Sequence, residues 1–210
     1  EDWVIYQEIC FADANTFLRY NANMRQLMVD KLKSCEMIVL NRAKPDLDKQ
    51  EIHKIVRGVS RRAEIAYESP DGDVVYDDIE DPLPFDLEAP VVEIQDQDYA
   101  VWYRDISEET KKYGGKTLRF KGMVVCSPKL PKNTFLCGRY LMTCCEADIA
   151  YTGLACQWDK ADGLQSKRWV TVTATVAIKF SSVYGKRGPM LQVQSVEPAQ
   201  PPAQEVATFY

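Results

Sequence analysis

The chain has no excess of positive charge. Lys and Arg number 26 against 31 Asp and Glu, for a net charge of −5. A surface that binds nucleic acid shows a basic patch, so this balance excludes nucleic acid as the expected partner. It has a single histidine, His53. Histidine-rich zinc sites and Ser-His-Asp triads therefore lack parts, and the expectation for His53 is a helix-surface residue. No apolar run is long enough to cross a bilayer, and no secretory signal precedes the first hydrophobic residues, so a cytoplasmic protein without membrane insertion is expected. No Cys-x-x-Cys pair occurs, which excludes the zinc-ribbon signature.

A phosphate-cradling loop is also missing. Gly114-Gly115-Lys116-Thr117 has the ending of a P-loop, but Thr110 stands where the earlier glycine belongs. A strand, not a helix, follows it, and the four residues read as a turn. The chain opens on Glu1-Asp2-Trp3-Val4 without Met, and hydrophobic pattern begins at once. A fragment of a longer protein is expected on that ground.

What is present divides into an α/β part and a β-rich part. Val4 to Ala12 reads as an extended segment, followed by the cap-forming Asp13-Ala14-Asn15-Thr16 and a helix to about Ser34. Met24, Leu27, Met28 and Leu32 recur at helical spacing and define its core-facing stripe. Met37 to Leu40 is a short apolar strand. Pro45 to Asp48 opens a second helix with Ile52, Ile55, Val56 and Val59 on one face, and Ala63 to Tyr67 is a third strand. Alternating strands and helices imply a parallel sheet.

Residues 71–100 carry a dense run of acids, Asp71 through Asp98, broken by Pro82, Pro84 and Pro90. Self-repelling charge with proline predicts an extended, solvated linker. The spacing is not that of an EF-hand loop. Beyond it, a short helix capped by Ser107 and strands at 117–126, 135–144, 150–158, 168–180 and 190–196 suggest a five-stranded barrel of OB type. The expected architecture is thus α+β: a partial α/β segment over 1–70, an acidic linker over 71–100, and an OB-like barrel over 101–210.

Two places carry candidate chemistry. Asn41 and Arg42 leave the apolar strand at its carboxyl end, where nucleotides gather in parallel α/β sheets. Cys144 and Cys145 are adjacent, with Asp148 beyond them. Neighbouring cysteines are poor disulfide partners. On a regular strand their side chains diverge, so only a bulge or turn would let both thiolates face one ion, with Asp148 close by. Buried structural thiols are the alternative use.

Asp13-Ala14-Asn15-Thr16-Phe17, Asn23-Met24-Arg25, Ile38-Val39-Leu40-Asn41-Arg42 and Arg61-Arg62-Ala63-Glu64-Ile65 resemble the later part of the GTPase domain of CobW-type metallochaperones. The resemblance implies that Asn41 begins the guanine-recognition motif and Arg42 follows it, with Lys44 standing where the motif has Asp. It implies GTP as a cofactor only together with an upstream P-loop region, so the stretch alone is expected to be inactive. Gly115-Lys116, Phe120-Lys121-Gly122, Gly138 through Asp148, Gly153-Leu154 and Arg168-Trp169-Val170 resemble the C-terminal β-domain of a bacterial family of permease-subunit proteins of unknown function. Together the resemblances imply metal handling, with zinc on Cys144, Cys145 and Asp148 and a metal-receiving client protein or transporter subunit as partner. The rival expectation is a non-enzymatic interaction module with structural cysteines.

Overall fold

A computed structural model describes residues 3–143 and 146–209. Its first three strands, β1 (Ile9–Asp13), β2 (Met37–Asn41) and β3 (Glu64–Glu68), lie parallel in that order, and a short β4 (Val74–Tyr76) adds antiparallel to β3. The central β2 buries Ile38, Val39 and Leu40, as a strand covered on both faces must. Helix α3 (Lys49–Val59) starts where the Asp48 carboxylate accepts the Glu51 N–H at 3.0 Å, and it buries Ile52, Ile55, Val56 and Val59.

The helix predicted from Thr16 to Ser34 is two helices, α1 (Ala14–Asn23) and α2 (Arg25–Leu32). The break falls at Met24, whose φ of −137° and ψ of 45° are not helical. Met28 and Leu32 are buried as the stripe requires, but Met24 and Leu27 are 47% and 49% exposed. The break rotates them off the core face. The first strand is also shorter than its apolar pattern suggests, since Trp3 to Tyr6 are exposed and unpaired in any sheet.

The acidic stretch is not an uninterrupted solvated connector. It contributes β4, a strand β5 (Val92–Ile94) and a 3-10 turn at Asp96–Asp98. Two of its acids, Asp77 and Asp98, and Asp105 just beyond it, have buried side chains held by specific partners or by neighbouring backbone. Charge density alone does not reveal such pairing.

The chain then divides into a second compact unit with its own core. Helix α4 (Tyr99–Glu108) begins eight residues before the short helix expected from Ser107, and Ser107, expected as a cap at the start, instead lies in its last turn and donates to the Tyr103 carbonyl. Trp102, Tyr99, Ala100 and Ile106 of α4 pack into that core. Strands β6 (Thr117–Val125), β7 (Thr134–Leu141), β8 (Ala150–Gln157), β9 (Trp169–Ser181) and β10 (Lys186–Pro198) fall close to the five predicted, and β11 (Val206–Ala207) adds a sixth. In the second sheet β6 pairs with β7, β7 with β8, β8 with β10, β10 with β9 and β9 with β6; β5 and β11 pair outside this circuit. The β8–β10 pairing is parallel and the other four are antiparallel.

Strand β6 alternates buried and half-buried residues without a break, as the period of two along a strand requires. At Gly138 the strands close too tightly for any side chain. A Cβ there would lie 1.9 Å from the Thr152 carbonyl oxygen of β8.

Candidate functional site

The carboxyl ends of the parallel strands meet at Asp13, Asn41 and Glu68. Asp13 caps α1, accepting the Asn15 backbone N–H at 2.9 Å. Its other oxygen accepts from Arg42 Nε at 2.9 Å and Arg42 Nη2 at 2.8 Å. Asn15 Nδ2 donates to the Arg42 carbonyl at 2.9 Å, and the Ala43 N–H donates to the Glu68 carbonyl at 2.8 Å. Desolvation pulls the Asp13 carboxyl upward, but the Asn15 bonds and the Arg42 guanidinium outweigh it and hold the group below its usual range.

Arg42 takes a left-handed turn, with φ at 55°, as the chain leaves β2. Arg42 is thereby committed to Asp13. Asn41 is not: its Oδ1 is buried and has no hydrogen-bond partner among the described residues. An orphaned buried acceptor at the carboxyl end of a parallel strand is the most pointed polar feature of this unit. Lys44 and Asp46, farther along the same loop, are both exposed.

Cys144 and Cys145 lie outside the described residues. Asp148 ends a 3-10 turn at Glu146–Asp148, is half-buried, and lies within electrostatic reach of the Arg104 guanidinium of α4. Arg104 also approaches Glu108 at 3.8 Å and stands 5.2 Å from the Phe209 ring. Among the described residues no three His, Cys, Asp or Glu side chains are grouped to hold a metal.

Two arrangements escaped the sequence reading. His53 is buried, not on the helix surface: its Nδ1 is 2.7 Å from Asp77 Oδ2, while the Tyr67 hydroxyl donates to Asp77 Oδ1 at 3.0 Å. The apolar face of α3 is wide enough to take in the residue beside Ile52, which is the signal that was there to read. Desolvation, and then the Asp77 carboxylate, push the Tyr67 phenol upward, so it stays a hydrogen-bond donor. Arg139 is the second. It shares the core-facing side of β7 with Phe135 and Cys137, and its side chain is 1% exposed. The alternation of β7 predicts that placement.

The fold and these residues define a mixed α+β protein with two sheets and a few helices. A family model for the DUF1980 C-terminal domain matches residues 76–207, and the chain belongs to that family. The family is one of unknown function, which agrees with the resemblance of the second half; residues before Tyr76 lie outside the match. No curated protein matches the chain. No helix among the described residues is long and apolar enough to cross a membrane.

Proposed function

We propose that the chain handles a soft transition metal, zinc foremost, as part of a CobW-like protein that responds to a guanine nucleotide. The observation that carries this reading is Asn41: a side-chain acceptor, buried and unpartnered, at the carboxyl end of the central parallel strand. A base N–H is a fitting donor for it. Lys44 offers no carboxylate to a guanine, so the base contact falls to Asn41, with Arg42 and Asp13 bracing the loop.

In the second unit the closed circuit of pairings from β6 to β10 supports an OB-like barrel as an accessory module. Cys144 and Cys145 would supply thiolates, and Asp148 a third ligand or an acceptor beside them. Two thiolates suit zinc over magnesium or calcium. The Arg104 cation competes for the Asp148 carboxylate, which favours the outer role. The metal's client would be a receiving protein or a transporter subunit, in the cytoplasm.

The test is metal content and nucleotide binding of the full-length protein. Stoichiometric zinc that is lost in the Cys144→Ser/Cys145→Ser double variant, and fluorescent GDP binding that is lost in Asn41→Ala, are the expected results. Unchanged zinc in the double variant would sink the metal assignment. Nucleotide binding indifferent to Asn41→Ala would sink the base contact.

A second reading has its own observation. Cys10, Phe11, Phe17, Tyr20, Met24 and Leu27 line a cleft of about 470 Å³ beside β1, whose outer edge pairs with no other described strand. An interaction module would use such a face.

A further inference from the structure

Arg139 is a buried cation whose hydrogen bonds go almost wholly to neutral backbone. Nη1 donates to the Asp96 carbonyl at 2.6 Å, and Nη2 donates to the Gln204 carbonyl and, at 3.5 Å, to that of Glu205. The Nε–H is buried and has no partner among the described residues. The nearest carboxylate oxygen in an ion pair, Asp96 Oδ1, is 3.9 Å from Nη1. Asp96 is also shared, since its Oδ2 accepts from Lys121 Nζ at 2.7 Å.

Two cations therefore face one carboxylate, leaving one positive charge over. Burying charge without a counter-charge is costly. Arginine lies against a cleft of about 410 Å³, whose walls include Asp96, Gln97, Val206, Ala207 and Phe209. That volume falls in the range of small-molecule clefts, roughly 300–1,000 Å³.

We propose that this cleft binds a small organic monocarboxylate, such as an aromatic or branched-chain acid. One of its oxygens accepts from the Arg139 Nε–H, the donor without a partner among the described residues, in a charge-assisted hydrogen bond. Val206, Ala207 and Phe209 take the hydrocarbon part. A dianion such as phosphate is disfavoured, because Asp96 stands at the same cleft and only one positive charge is left to answer. The site is independent of the nucleotide and metal assignments above.

The experiment is NMR of the intact ¹⁵N-arginine-labelled chain, following the Arg139 Nε–H resonance during titration with benzoate, benzamide and inorganic phosphate. Benzoate should shift that resonance saturably, and isosteric neutral benzamide should not. Arg139 also holds the C-terminal segment, so removing it could disturb folding. The blocking variant is instead Ala203→Trp, on the exposed rim of the cleft. It should weaken benzoate binding by about tenfold or more, near 1.4 kcal/mol, with the Arg139 resonance of the free protein still dispersed. No saturable shift with benzoate overturns the proposal. An equal shift with benzamide or with phosphate, or undiminished binding in Ala203→Trp, does so as well.

Discussion

Asp77 makes the cost of a lost partner measurable. It is the common acceptor of His53 and Tyr67, both on the core side of the first unit. Asp77→Ala should destabilise that unit by about 2–4 kcal/mol, because two buried polar groups lose their partner at once. Asp77→Asn, which keeps an acceptor for Tyr67, should cost less; chemical denaturation separates the two. The five described cysteines sort by burial in the same way. Desolvation pushes the thiols of Cys137 and Cys156 upward, and both are fully buried, while Cys10, Cys35 and Cys126 are half-buried. Iodoacetamide at mildly alkaline pH should leave Cys137 and Cys156 unlabelled until denaturant is added, as peptide mass spectrometry would show. Labelling of either at the rate of Cys126 would contradict the buried placement. Residue-scale facts of this kind were only partly legible. Alternation along β7 foretells inward Cys137 and Arg139, but nothing in an acidic run marks Asp77 as the one acid that a buried histidine claims.

At the scale of elements, periodic patterns carried far. The five β-strands after Thr117 and helix α3 fall near their predicted ranges because burial on one face imposes a strict rhythm. Short elements escaped, since three residues such as Val74–Tyr76 or Val92–Ile94 are too few to show a period, and their neighbours supply the pairing. The split of α1 from α2 was illegible for a different reason: both halves keep helical spacing, and the fault is a single backbone turn at Met24. Close strand approach gives a sharp test. Gly138→Ala should cost about 3 kcal/mol or more, since its Cβ meets backbone of β8 that has nowhere to go. Asp98, at the start of α4, runs the other way. It is buried, and desolvation raises its carboxyl above the ordinary 3.8, so folding disfavours the ionised form. The folded state gains from protonated Asp98 at low pH and loses that contribution as pH rises through the raised value. Asp98→Asn should therefore raise the thermal midpoint at neutral pH, with the gain over wild type shrinking as pH falls toward 3.8.

For the whole molecule, the two cores are separate sets of residues, one built around Leu40, Ile52 and Val56 and the other around Trp102, Phe120 and Phe135. Leu40→Ala and Trp102→Ala should each mainly lower the stability of their own unit, by about 2–5 kcal/mol. Hydrogen exchange resolved by peptide would show which segments lose protection. The mixed α+β character could be read from the sequence, because the hydrophobic period changes between helical and strand-like along the chain. The chemistry of the halves could not be read as far. Asn41 stood out by position, but that its Oδ1 is buried without a partner among the described residues depends on side-chain placement that no spacing shows.

The circuit of strands in the second unit has a kinetic consequence. Thr117 of β6 meets Thr175 of β9, 58 residues away, and the parallel β8–β10 pairing cannot be made by a hairpin. Loop-closure entropy must be overcome before these contacts return any stabilisation. The first unit, knit from neighbouring strands and helices, should then reach its native fluorescence and amide protection sooner after dilution from denaturant. The β-rich unit would be the last part of the chain to reach its native structure.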